Sequence, residues 1–183
     1  MATRRLSPPA ILLHWLVFLL FLVALFCIEY REFVPSGDPL RRSLRSTHVL
    51  VGQLIWLASL MRLFVRLRFP PLPVSSAAAA APWWMSWGAN GVHLLLYGIM
   101  FLQPVIGILS MQAGDKDVVF FNWILPRLID SNPELHFTLK DAHKIVATAF
   151  YLLFAMHMVG ALVHHFVVKD GTLQRMFRLR GTL

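Results

Sequence analysis

Eight histidines are the residues of this chain best suited to chemistry. Imidazole binds metals and exchanges protons near neutral pH. His14, His48, His93, His143, His157, His164 and His165 fall within or at the ends of long apolar runs, and His136 falls between two of them. An ionisable side chain in lipid is costly and usually faces a bundle interior for a reason. A single such histidine is explained by a helix-to-helix hydrogen bond. Seven of them point to a ligand set.

The spacing sharpens this. His143 and His157 stand fourteen residues apart, close to four helical turns, so both project from one face with a rise of about 21 Å between them. Two ligands on one face, one near each membrane surface, suit two haems stacked across a bilayer. Each haem then needs a ligand from a facing helix. His48 lies at about the depth of His143. His14 and His93 both lie near the depth of His157, and depth alone does not choose between them. His164, seven residues beyond His157, suits a quinone pocket or a haem propionate; snorkelling to the interface explains His164 and His165 equally well. There is no C-x-x-C-H motif, so any haem is held without a thioether link. With imidazole on both axial positions the iron has no vacant site, and outer-sphere electron transfer is the natural task.

The elements that must carry these residues are long and apolar. The chain is 57% hydrophobic and only 14% charged, against about 25% charged in a soluble domain. The expected fold class is all-α: a single integral membrane domain over residues 1–183, a four-helix bundle with two b haems in its core. The spans are expected at about 9–28, 46–65, 85–111 and 141–168. Pro8 and Pro9 suit a helix start. The first run is too long for a signal-peptide core and lacks a small-residue cleavage site, so it reads as a retained span. Residues 29–45 read as a polar loop, 69–82 as a linker, and Gln103-Pro104 as a kink inside the third span. Residues 112–140 read as a long loop that holds His136, with Val118–Ile129 lying on the membrane surface. Trp83, Trp84 and Trp87 suit an interfacial belt. Cys27, the lone cysteine, reads as packing.

The formal charge of +8 invites a nucleic-acid reading. The basic residues instead flank the apolar runs, where they set topology and meet lipid headgroups, so lipid is expected as the partner and nucleic acid is not. Nine Lys and Arg fall on the side of the termini and eight on the other, which decides little. Eight of the nine acids fall on the side away from the termini, leaving the termini side +8 and the other neutral. That asymmetry favours cytoplasmic termini.

The chain resembles the bacterial cytochrome b561 family, and within it the inner-membrane superoxide:ubiquinone oxidoreductases. The resemblance runs through His14-Trp15-Leu16-Val17-Phe18-Leu19-Leu20, His48 with Gly52, His93, Tyr97 and Pro104-Val105-Ile106-Gly107. It ends with His164-His165, Lys169-Asp170, Thr172-Leu173 and Arg175-Met176, and so covers nearly the whole chain. It implies two haem b groups, one ligated by His14 with His157 and the other by His48 with His143, leaving His93 beside a ligand or in a pocket. It also implies the bacterial inner membrane, cytoplasmic termini, superoxide as electron donor and ubiquinone as acceptor. His164, His93 and Arg62 are then candidates for the quinone pocket. Arg41, Arg42 and Arg45, just before His48, are candidates for steering the superoxide anion, although flanking a helix explains them as simply.

Two other functions fit parts of the pattern. An electron-transfer subunit would carry the same haems and serve a dehydrogenase or reductase partner. A transporter would use the histidines as a path for metal ions or protons, but no Asp or Glu lies in the middle of a span, which disfavours a proton relay.

Overall fold

The computed structural model describes residues 3–5, 7–70, 72–74 and 83–177. Four long helices dominate it: α1 (Pro8–Arg31), α2 (Pro39–Arg68), α3 (Trp83–Ala113) and α4 (Pro133–Val163). All four are long and apolar enough to cross a membrane. Even α1, with 24 residues, spans about 36 Å at the helical rise, more than the roughly 30 Å of bilayer hydrocarbon. The chain is an all-α integral membrane bundle.

The helix starts follow proline and cap chemistry. Proline opens α1, α2 and α4, where its missing N–H costs nothing. The Asp38 carboxylate accepts from the Leu40 N–H at 2.8 Å, and the Asn132 side-chain oxygen accepts from the Leu135 N–H at 3.0 Å. These caps lie outside the apolar runs, so the helices extend further than hydropathy suggests. The polar loop expected over 29–45 ends at Asp38, where α2 begins. The long loop expected to reach residue 140 ends at Asn132, which corrects the placement of His136: it lies in the first turns of α4. Its Nδ1–H donates to the Ser110 carbonyl at 2.6 Å. A Cβ on Gly114 would stand 2.8 Å from that nitrogen, so only glycine fits there. Pro104 sits within α3 without ending it.

The helices pack as two antiparallel hairpins, α1 on α2 and α3 on α4, with α2 also against α3. A core layer joins them at mid-height. Val17, Phe21 and Ala24 of α1, Val51, Ile55 and Ala58 of α2, and Met100 of α3 are buried together, with Phe150 and Phe154 of α4 packed against them. Phe21 meets Phe150 and Phe154 at ring-centre distances of 4.7 and 4.8 Å. Large apolar side chains such as Leu12, Leu19, Phe26, Leu94 and Leu152 point outward, as a lipid solvent requires.

Short elements close the two ends. Near the termini, β1 (Thr3–Arg5) pairs antiparallel with β2 (Leu72–Val74), inside the expected linker. At the other end β3 (Val119–Phe120) and β4 (Trp123–Ile124) form a small antiparallel hairpin with Phe121, Trp123 and Ile124 exposed at its tip. Gln112 holds this loop down. Almost fully buried, it donates from Nε2 to the Pro126 carbonyl at 2.9 Å and accepts the Leu128 N–H on Oε1 at 3.0 Å. Arg127 adds ion pairs to Asp115 and Asp117.

After α4 the chain continues as one π-helical turn, His164–Val168, and then a short helix α5 (Thr172–Arg175). Lys169 and Gly171 both take left-handed backbone conformations. Asp170 organises this turn: Oδ2 accepts from His164 Nδ1 at 2.7 Å, Oδ1 from the Thr172 N–H at 2.9 Å, and its carbonyl from Arg175 at 2.8 Å. Burial alone raises its carboxyl, but the hydrogen bonds from Thr172 and His164 and the His164 charge outweigh that and hold it below the usual aspartate range.

Two outcomes are expected. Gln112→Ala removes both bonds of a buried amide and should cost about 2 kcal/mol, read from unfolding in mixed micelles; an unchanged midpoint would rule the clamp out. Because the Asp170 carboxyl is depressed in the folded state, its contribution is complete above the ordinary carboxylate range and is lost as pH falls through the lowered folded value. Amide protection over residues 164–177, taken relative to the intrinsic exchange rate at each pH, should therefore fall in acid, and Asp170→Asn should be weakly protected at every pH.

Candidate functional site

The bundle gathers histidines at two levels, one on either side of the aromatic layer. Away from the termini, His48 of α2 faces His143 of α4 with ring centres 6.4 Å apart. The His48 Nδ1–H donates to the Ala24 carbonyl of α1 at 2.9 Å, which leaves Nε2 free. On α3, Gln103 donates from Nε2 to the His143 carbonyl at 2.8 Å. A Cβ on Gly107 would come within 3.1 Å of the His143 ring, so this glycine lets α3 approach the imidazole closely. Gly52 lies one turn beyond His48 on the same face, and a Cβ there would meet nothing within 4 Å.

Nearer the termini, three histidines converge. His157 of α4 stands 6.1 Å from His14 of α1 and 5.1 Å from His93 of α3, ring centre to ring centre. The His93 Nδ1–H is spent on the Ala89 carbonyl of its own helix at 2.7 Å. At each level one ring, His14 or His143, keeps a buried Nδ1 with no hydrogen-bond partner among the described residues.

Beside His14 opens a cleft lined by Ser7, Arg62, Arg66, Tyr97 and Met176. The Arg62 guanidinium lies 5.3 Å from the centre of the Tyr97 ring. The Ser7 and Tyr97 hydroxyls are buried there without partners among the described residues. Trp15 donates from its indole to the Met176 carbonyl at 2.8 Å and so ties the C-terminal turn to α1. Arg62 and His93 thus lie at this end of the bundle, while His164 faces Asp170 and His165 packs on Phe166. Ser7 carries no signal in the sequence, and Tyr97, one of the residues that carry the family resemblance, gains a place beside this cleft only once the helices are packed.

Arg41, Arg42 and Arg45 line a cavity at the other end together with Arg31. Arg41 is engaged within the fold, donating to the Arg31 and Val34 carbonyls at 2.8 and 2.6 Å and pairing with Glu32.

Paired, half-buried imidazoles on separate helices, one set per membrane level, suit metal ligation and one-electron chemistry in a lipid-surrounded core. Comparisons with known proteins agree. The profile of the prokaryotic cytochrome b561 family matches residues 5–179. The chain is 30% identical over 177 residues to "Cytochrome b561 homolog 1" of Escherichia coli K12, covering 97% of this chain and 99% of that one. It is 32% identical over 174 residues to "Probable superoxide oxidase CybB" of Yersinia pestis, covering 94% and 96%. A membership of that family implies haem b and electron transfer within the membrane. This chain belongs to the prokaryotic cytochrome b561 family.

Proposed function

We propose that this chain is a di-haem b cytochrome of the bacterial inner membrane, with cytoplasmic termini, that oxidises superoxide at the outer face and reduces ubiquinone at the inner one. The carrying observation is the spacing of the histidine pairs. His48 with His143, and His14 with His157, would each hold one haem iron, a metal–imidazole nitrogen bond being about 2 Å long. The 6.4 Å of His48–His143 and the 6.1 Å of His14–His157 support those pairs. The 5.1 Å of His93–His157 is short for an intervening iron. Open space beside Gly52 and the unpartnered Nδ1 atoms of His14 and His143 also fit a bound group at each level.

Bound haem b supplies reversible one-electron redox chemistry, and the protein tunes it through ligands, burial and hydrogen bonds. The Ala24 carbonyl orients His48 and strengthens it as a ligand. Gln103 and Gly107 fix α3 against His143. Phe21, Phe150 and Phe154 keep the space between the two levels dry. At the inner end Ser7, Arg62 and Tyr97 offer unpaired or cationic donors beside His14, as the two carbonyls of a quinone headgroup need. His93 and His164 are further candidates there for binding or protonating the quinone. Two superoxide anions yield two oxygen molecules, and their two electrons with two protons convert one ubiquinone to ubiquinol.

The superoxide assignment draws on the name of the Yersinia relative and on a local cluster of cations at an outer end that is neutral overall. There the Lys116 ammonium is lowered by burial and by the nearby Arg45 and Lys140 charges, which places three cations within reach of one another and of an incoming anion. The charge difference between the two sides supports cytoplasmic termini.

Stopped-flow mixing of the oxidised, haem-loaded protein with superoxide should show haem reduction faster than superoxide decays in buffer; no acceleration sinks the superoxide reading while leaving the cytochrome intact. His143→Ala should lose one haem of two per chain and keep the other with an unaltered α-band. If pyridine haemochrome analysis still counts two, the pairing is wrong.

A further inference from the structure

The redox reading leaves one cavity with no role beyond a general positive charge. It lies at the outer end between α1 and α2, measures about 200 Å³, and is lined by Arg31, Gly37, Asp38, Arg41, Arg42 and Arg45. Four guanidinium groups meet few anions there. The Asp38 carboxylate caps α2 through the Leu40 N–H. Glu32 pairs with Arg31 at 2.8 Å and with Arg41 at 3.5 Å. Arg41 is further committed to two carbonyls. Arg31 Nε is buried with no partner among the described residues, and among these residues Arg42 and Arg45 form no hydrogen bond or ion pair. Two carboxylates against four guanidinium groups leave the cavity with a surplus of two positive charges and unspent donors.

Guanidinium forks match the oxygens of phosphate. The cavity's position says where such a phosphate comes from. It sits where α1 ends and α2 begins, at the level of the lipid headgroups. The same end of α1 and start of α2 carry exposed apolar side chains, Phe26, Tyr30, Phe33 and Leu40, with Phe26 stacked on Tyr30 at 5.3 Å. A free phosphate has no use for these side chains, whereas a lipid lays its acyl chains along them. Gly37, at φ 94°, makes the tight turn between the helices and adds no side chain to the cavity.

We propose that this arginine-lined cavity binds the phosphate of an anionic phospholipid, held by Arg31, Arg42 and Arg45 with its acyl chains over Phe26, Tyr30 and Phe33. Native mass spectrometry of the haem-loaded protein, released from nanodiscs of equal phosphatidylglycerol and phosphatidylcholine, tests this. One phosphatidylglycerol should be retained preferentially. Each arginine facing an anionic headgroup contributes about 1 kcal/mol, roughly fivefold in occupancy, so Arg42→Gln should reduce retention by about that factor and Arg42→Gln with Arg45→Gln by more. Inorganic phosphate in millimolar excess should leave the lipid bound. Equal retention of the two lipids, retention unchanged in Arg42→Gln (an exposed position that should not disturb folding), or displacement by inorganic phosphate would each overturn the proposal.

Discussion

The structure depends on keeping polar imidazole rings inside a bundle whose surroundings are lipid. With no water in the hydrocarbon, a buried N–H or ring nitrogen must find a partner within the protein or in something bound to it. The backbone serves the rings it can reach. His48 takes the carbonyl of Ala24 from the neighbouring helix, and His93 takes that of Ala89 four residues back on its own. His14 and His143 lack such an arrangement on Nδ1. The fold carries that cost once at each level, each time opposite another histidine. Polar side chains of little value to a bundle's stability are thus concentrated where a metal centre would make use of them.

The layer between the two levels is mostly apolar and rich in aromatic rings, with the buried Ser59 hydroxyl donating to Met100 Sδ at 3.7 Å. Phe150 lies seven residues from both His143 and His157, and Phe21 lies seven beyond His14, so helical periodicity alone sets these rings midway along the same faces. Their contacts bridge the two helix hairpins at mid-height. Separation of the levels and closure of the core are therefore one packing event. A smaller residue at Phe21 would loosen both, because α1 meets α4 mainly through these rings and, higher up, the Tyr151 hydroxyl on Glu29.

How far the sequence could be read follows from which interactions are local. Four apolar runs with flanking arginines are a property of composition along the chain, and the four membrane helices lie where those runs are. Their true ends depend on caps at Asp38-Pro39 and Asn132-Pro133, outside the apolar windows. Hydropathy passes over such caps, which is why it assigns His136 to a loop. The Asn-Pro pair was the signal available. The fourteen-residue spacing of His143 and His157 was legible because both lie on one helix. Their neighbours across the bundle could be ranked only by depth. The Gln112 clamp, the Phe121 hairpin and the unpaired hydroxyls of Ser7 and Tyr97 join segments distant in sequence, and no pattern within a single run announces them.

The choice between His14 and His93 shows what three dimensions add. Both reach the level of His157 and both rings contact it, so neither depth nor proximity separates them. Proximity alone would favour His93, whereas a metal between two rings would hold them apart. At 5.1 Å from His157, the His93 ring is packed as a neighbour, and its Nδ1–H is already held by its own helix. His14 stands farther off, at 6.1 Å, with a ring nitrogen unspent and the polar cleft of Arg62 and Tyr97 beside it. On the proposed reading, His14 would be the partner across an iron and His93 a neighbour beside it with one ring nitrogen still free.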